Sequence, residues 1–236
     1  MQNSLAIKKK LSNFKRSITV SGDKSISIRW VLFSSLSNGI SKAKNLLLSE
    51  DVLAAIKAVN KLGIKTKFSN NEYKIYGRGI NGFKYKKNLT INAKNSATLG
   101  RLILGLLINS PYEIKLIGDK SLSKRDFKRI SDPLTKFGAK FKLKKNKNLP
   151  LKIFGSGKLN SINYVERKGS AQCKSAIMFG AMRSEGTTFI KAKKSRNHTE
   201  LLCKYLKLPV VVNNGTNYDE IKIKKVNYIK PLNYNI

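Results

Sequence analysis

Apolar positions along this 236-residue chain switch between strict alternation and a helical repeat at regular intervals. A first block predicts a short strand over residues 17–20, a helix over 24–36 and a strand over 43–48. The next helix has clear limits: Ser49 can cap it, Glu50 and Asp51 suit its first turn, and Gly63 ends it. Val52, Leu53, Ile56 and Val59 form its apolar face. Strands at 64–68 and 73–76 close the block.

The pattern recurs twice. Strands are predicted at 89–92, 112–117, 139–143 and 151–154, with helices at 96–108 and 124–137 between them. A third block has strands at 162–165, 187–192, 210–212 and 220–224, with helices at 172–182 and 197–206. The first helix of each block starts near Lys24, Ser96 and Gln172, so the spacing is regular. Three βαβαββ units follow, at about 17–80, 87–156 and 160–226, flanked by a leading segment, 1–16, and a tail, 227–236. The helix at 96–108 is apolar on almost every side, through Leu99, Leu102, Ile103, Leu104, Leu106 and Leu107, and the helix from Gln172 is similar. Helices without a polar face belong inside, with the strands around them. The predicted class is therefore an α/β domain with its helices at the centre.

Composition excludes several classes. The longest apolar stretch, 102–108, is too short to cross a membrane, and the N-terminus lacks the apolar core of a secretion signal. Cys173 and Cys203 fall in predicted helices and suit buried thiols in a reducing cytoplasm. His198 is the single histidine, so no protein-bound zinc is expected.

The formal net charge is +35, from 39 lysines and 9 arginines set against 13 acidic residues. The lysines are scattered over predicted strands and helix faces alike, which suits a solvated surface better than a built groove. The arginines are more selective: Arg29, Arg101, Arg125 and Arg196 lie at or near helix starts.

Candidate chemistry gathers at those helix starts. The run Ser21-Gly22-Asp23-Lys24-Ser25-Ile26-Ser27-Ile28-Arg29 places a lysine, serines and an arginine where a turn becomes a helix. Free backbone N–H groups and the helix dipole favour an anion there. Lys24 adds a point charge, and Arg29 adds a planar fork suited to phosphate or carboxylate. Gly118-Asp119-Lys120-Ser121 echoes residues 22–25, but it precedes the second helix of its unit and is not an equivalent position. Gly155-Ser156-Gly157-Lys158 is no P-loop, because Lys152 and Leu159 stand where glycine and Ser or Thr are required.

Five segments in order complete the picture. They are 21–29; Asn95-Ser96-Ala97-Thr98-Leu99-Gly100-Arg101; 118–125 with Asp132-Pro133-Leu134; Gly169-Ser170-Ala171-Gln172; and Ser195-Arg196-Asn197-His198-Thr199-Glu200. Together they closely resemble the EPSP synthases (3-phosphoshikimate 1-carboxyvinyltransferases), from about Ser17 to at least Leu206. The resemblance implies an inside-out α/β barrel domain of three βαβαββ units, with the family's second domain missing. It implies transfer of the enolpyruvyl group of phosphoenolpyruvate to the 5-hydroxyl of shikimate 3-phosphate, in the cytoplasm, without metal or organic cofactor.

By the same resemblance, Lys24 contacts phosphoenolpyruvate, while Ser25 and Arg29 hold shikimate 3-phosphate. The backbone at Ala97 approaches phosphoenolpyruvate and Arg125 grips its phosphate. Ser170, Ala171 and Gln172 meet the shikimate phosphate and the reacting region, with Ser195 and Arg196 completing the pocket and His198 structural. The general base belongs to the missing domain, so no catalytic residue is expected here. That domain would come from a longer product or a separate chain, and this chain alone is expected to be inactive.

Several positions depart from the family pattern. Ile28, Lys94, Asp126 and Asn197 stand where histidine, glycine, proline and aspartate are common. Ala97 replaces a frequent glycine, and its methyl is expected to disfavour the inhibitor glyphosate in a complete enzyme. Two alternatives are weighed against this reading. The enolpyruvyl transferases acting on UDP-N-acetylglucosamine fit Ser25, Arg29 and the 170–172 segment less well. Against the second, a lysine-rich nucleic-acid-binding protein, the sequence has no zinc-finger spacing, no RNA-recognition signature and no clear aromatic-basic platform on a strand.

Overall fold

A computed structural model describes Ala6, Lys8, Lys15 and residues 17–236. The leading segment expected to join a second domain, 1–16, lies outside the described residues except for those three. The first unit contains α1 (Lys24–Leu36), β1 (Asn38–Lys44), α2 (Glu50–Lys61), β2 (Lys65–Ser69) and β3 (Glu72–Arg78). The second contains β4 (Leu89–Asn92), α3 (Ala97–Leu107), β5 (Ile114–Ile117), α4 (Lys128–Thr135), β6 (Lys140–Lys144) and β7 (Asn148–Phe154). The third contains β8 (Asn163–Glu166), α5 (Ala171–Ala181), β9 (Thr187–Lys193), α6 (His198–Tyr205), β10 (Val210–Asn214) and β11 (Tyr218–Lys224), and β12 (Asn233–Asn235) follows.

Each unit builds a four-stranded sheet. The orders are β12-β1-β3-β2, β4-β5-β7-β6 and β8-β9-β11-β10. In the second and third sheets a parallel pair, β4 with β5 and β8 with β9, encloses a buried helix, and an antiparallel hairpin completes the sheet. This is the three-unit α/β class that the periodicity predicts.

The first unit differs in one respect. Residues 17–20 form no strand, and Ile18 and Val20 are 78% and 67% exposed. The parallel partner of β1 is instead β12, with Lys42 opposite Asn233 and Lys44 opposite Asn235. The tail wins this edge because Val226, Ile229 and Leu232 are buried and anchor it. Asn38 N–H donates to the Ile229 carbonyl at 2.8 Å and Lys42 N–H to that of Leu232 at 3.0 Å.

Two further boundaries move for local reasons. The strand predicted at 43–48 lies at 38–44, where all seven residues pair with β3, and Asn45 in the left-handed region (φ 54°) ends it. The helix predicted from residue 124 starts at Lys128, because Asp126 Oδ1 accepts from Lys128 N–H at 2.8 Å after a 3-10 turn at Leu122–Lys124. Pro133 lies inside α4 and has no N–H for the Arg129 carbonyl four residues back. That carbonyl accepts from Cys173 Sγ instead, at 3.3 Å, which ties α4 to α5.

Helices α1, α3 and α5 fill the centre. Almost every residue of each is buried, and the Phe33 and Phe179 rings meet at 4.8 Å between centroids. Gly105 lets α3 approach α5 closely, since a Cβ there would stand 2.1 Å from the Ala176 carbonyl oxygen. The sheets alternate around this core. In β9 and β11 the inward residues include Ile190, Ala192, Ile221 and Ile223, and the outward ones include Lys191, Lys193, Lys222 and Lys224. Much of the positive charge is thus the solvated outer face of the sheets.

Candidate functional site

The three central helices run parallel, so their N-termini share one end of the domain. The pairing shows this: Thr98 and Arg101 of α3 bond to Gln172 of α5, and Arg29 of α1 bonds to Ser175 of α5. The three caps are alike. Asp23, Ser96 and Ser170 accept from the N–H groups of Ile26, Leu99 and Cys173 at 2.7, 3.3 and 3.2 Å. Three positive helix ends therefore face one region, and Lys24, Ala97 and Ala171 are their first residues.

Arg29 is a fixed component of this end, only 3% exposed. Its Nε donates to Thr199 Oγ1 at 2.8 Å, Nη2 to Ser175 Oγ at 3.1 Å and Nη1 to the Ser25 carbonyl at 3.0 Å. Three of its N–H groups are committed to the protein, leaving one on each Nη for a ligand. Burial pulls its pKa down to about 10, against the pull of Glu200 and Asp23. Lys24 is half exposed, with Nζ 3.5 Å from Asp51. Arg196 is exposed and close enough to repel the charge of Arg29. Ser195 precedes it, with a buried Oγ that meets no protein partner.

A second group lies between α3, α4 and α5. Arg101 Nη1 donates to Gln172 Oε1 at 2.5 Å and Nη2 to the Asp126 carbonyl at 3.2 Å, and the guanidinium stacks over Phe127. Gln172 Nε2 donates to Thr98 Oγ1 at 3.0 Å. The Arg101 pKa is lowered by burial and then by the nearby charges of Arg129 and Arg125. Three guanidinium groups are thus gathered around one helix end, with Arg125 exposed and the Nε atoms of Arg101 and Arg129 buried without partners.

The structure therefore divides the sequence-predicted residues. Lys24, Ser25, Arg29, Ser195 and Arg196 gather at the starts of α1 and α6. Ala97, Arg125 and Gln172 gather at the starts of α3, α4 and α5. Ser170 and Ala171 open α5, which joins both groups. Sequence reasoning missed Arg129 and Ser175 as members of this network. It recognised Thr98, Arg101 and Thr199 only as parts of motifs, without assigning them a role. The spacing of Arg129 four residues after Arg125 was the available signal.

Cavities of about 380 and 350 Å³ lie elsewhere, one beside Lys44 and Tyr73 and one among Lys120, Lys144 and Lys147. Neither is lined by any of the predicted residues.

The model of the family EPSP synthase (3-phosphoshikimate 1-carboxyvinyltransferase) matches residues 8–236. The chain is 39% identical over 201 residues to a 3-phosphoshikimate 1-carboxyvinyltransferase of Bacillus cytotoxicus, covering 84% of this chain and 47% of that protein. It is 37% identical over 230 residues to the enzyme of that name from Sulfurihydrogenibium sp., covering 97% of this chain and 53% of the relative. A solved structure of EPSP synthase from Acinetobacter baumannii superposes with a TM-score of 0.85 at 30% identity, over 93% of this chain and 49% of that one. The chain spans about half the length of the curated relatives it matches. With this arrangement of helix ends and with similarity along nearly its whole length, the chain belongs to the EPSP synthase family.

Proposed function

We propose that this chain forms the substrate-holding half of a cytoplasmic enzyme that transfers the enolpyruvyl group of phosphoenolpyruvate to the 5-hydroxyl of shikimate 3-phosphate, releasing phosphate. The observation that carries this reading is the convergence of three helix N-termini with two arginine groups, one fixed and one clustered. Both substrates are multiply anionic and repel each other, so they need neutralising charge on both sides. Ser25, Arg29, Ser195 and Arg196 would hold shikimate 3-phosphate on the α1–α6 side. Lys24, the α3 start at Ala97 and Arg125 would hold phosphoenolpyruvate, with Ser170, Ala171 and Gln172 between the two substrates. The chemistry available here is orientation and charge stabilisation in a preset frame. Proton transfer would come from a carboxylate on a complementing half. Loss of a positioned general base alone typically costs about 10²–10⁴-fold in rate.

Calorimetric titration of the chain with shikimate 3-phosphate at physiological salt tests this. The expected result is saturable one-to-one binding that Arg196→Ala weakens by about tenfold or more, roughly 1.4 kcal/mol. Lys222→Ala on the outer face of β11 should leave it unchanged. Arg29→Ala is a poor probe because Arg29 knits three helices together. A folded chain that binds no shikimate 3-phosphate would overturn the proposal.

A further inference from the structure

Helix α5 is entered through a short turn, 167–170, that leaves β8 at Glu166. Glu166 is 4% exposed and lies in register with the buried Ala192 of β9. Its Oε1 accepts from the Lys168 N–H at 3.1 Å and its Oε2 from the Ser170 N–H at 2.9 Å. Both oxygens of one carboxylate therefore close over the turn. Among the described residues no lysine or arginine forms an ion pair with Glu166. A buried carboxylate without a counter-ion is a costly group, and the two backbone N–H bonds offset that cost.

The turn sets what the start of α5 presents. Ser170 Oγ accepts from the Cys173 N–H, which leaves its hydroxyl proton to donate. The N–H groups of Ala171 and Gln172 have no partner within the helix. Gly169, at φ 66°, brings the turn against the segment that carries Ser195 and Arg196. A Cβ at Gly169 would stand 3.3 Å from the Lys194 carbonyl oxygen, one residue before Ser195. The grip of Glu166 thus seats residues 170–172 against the other wall of the proposed phosphate pocket.

The second unit makes the corresponding turn without a charge. Asn92 stands four residues before the cap Ser96, as Glu166 stands before Ser170. Asn92 Oδ1 accepts from the Lys94 N–H at 2.8 Å, and the Ser96 N–H donates to the Ala93 carbonyl at 2.8 Å. One side-chain acceptor suffices there because the backbone supplies the other. In the third unit both acceptors come from Glu166. Like charges repel, so a carboxylate is electrostatically the wrong group beside a pocket for a phosphate. Its two acceptor oxygens, and not its charge, account for its place.

We propose that Glu166 is a positioning residue for the shikimate 3-phosphate pocket, holding the 167–170 turn so that Ser170 and the start of α5 aim their donors at the phosphate. Glu166 itself touches no substrate. This inference rests on the proposed function, because it concerns the same pocket.

Charge and position predict opposite results for Glu166→Gln. Removing a negative charge beside an anion pocket tightens binding, whereas releasing the turn weakens it. The test is calorimetric titration of the full chain with shikimate 3-phosphate at physiological salt, with folding checked by circular dichroism. Glutamine keeps one acceptor oxygen of the two. The expected affinity is about tenfold lower or more, as for the loss of one charge-assisted hydrogen bond. Glu166→Asp keeps the charge but loses reach, and it should weaken binding as well. Unchanged or tighter binding by folded Glu166→Gln overturns the proposal and leaves the substrate assignment standing. Should only Glu166→Asp fold, unchanged binding by that variant overturns it equally. A folded parent chain that binds no shikimate 3-phosphate overturns the substrate assignment and this inference with it. Failure of both variants to fold also overturns it, because Glu166 then holds the domain together and not one turn.

Discussion

Lys174 of α5 and Glu200 of α6 meet at 2.5 Å with side chains 0% and 5% exposed. One residue along on each helix, the Ser175 and Thr199 hydroxyls meet at 2.7 Å, and both accept from Arg29. Two adjacent rungs thus join α5 to α6 directly behind the proposed phosphate pocket. Removing one partner of a buried ion pair strands the other, at a typical loss of about 3–5 kcal/mol. Lys174→Met should cost about that much in urea unfolding, and the double variant Lys174→Met/Glu200→Leu should recover most of it. A single-variant loss below about 1 kcal/mol, the range of exposed pairs, would show that the pair contributes nothing special.

Gly105 is the contact point of α3 and α5. An added Cβ would lie 2.1 Å from the Ala176 carbonyl oxygen and 3.0 Å from Phe179 Cβ, and neither helix can yield without moving the core. Gly105→Ala should therefore destabilise by about 1–3 kcal/mol or more, despite the better helix propensity of alanine. Gly157 has nothing within 4 Å of the same position, and Gly157→Ala should leave the melting temperature nearly unchanged. Equal effects of the two substitutions would refute this account of the helix contact.

Much of this architecture was legible because periodicity reports burial directly. The start of α1 was legible where the glycine turn at Gly22 gives way to the helical run from Lys24, and the structure adds Asp23 as its cap. The all-apolar face of α3 placed it at the centre without any tertiary information. The sequence hid whatever depends on distant partners. Residues 17–20 have the composition of a strand, yet β12 holds that edge through Ile229 and Leu232, about two hundred residues away. The motif residues were visible as types, whereas the committed bonds of Arg29 depend on Ser175 and Thr199, which no local pattern links to it.

His198 gives the stability a dependence on acid. Burial lowers its pKa below the usual histidine value, Arg29 and Arg196 push the same way, and Asp23 and Glu200 oppose them. The native state therefore takes up a proton less readily than the unfolded chain. The stability linked to His198 is fully present above the unfolded value of about 6.5 and is lost as pH falls through the lower native value. Denaturation midpoints measured from about pH 7.5 down to 5 should fall across this window, and His198→Asn should flatten that slope. An identical slope in the variant would assign the loss to other groups.

Both cysteines should be inert in the native chain. Burial pushes the Cys173 thiol up to about 12, and Glu166 adds to the rise while Arg129 opposes it. Cys203 is raised by burial and then by Glu200. Only the thiolate attacks disulfide reagents, and at pH 8 a thiol with a pKa of 12 is ionised in about one molecule in ten thousand. An unperturbed thiol near 8.5 is ionised in roughly a quarter. The folded chain at pH 8 should release no thionitrobenzoate from Ellman's reagent on mixing, and both free thiols should react at once in urea. The same raised values predict stability lost as pH climbs above about 8.5, since the unfolded thiols ionise first. Rapid labelling of Cys173 in the native chain would mean that the α4–α5 contact at the Arg129 carbonyl opens readily in solution.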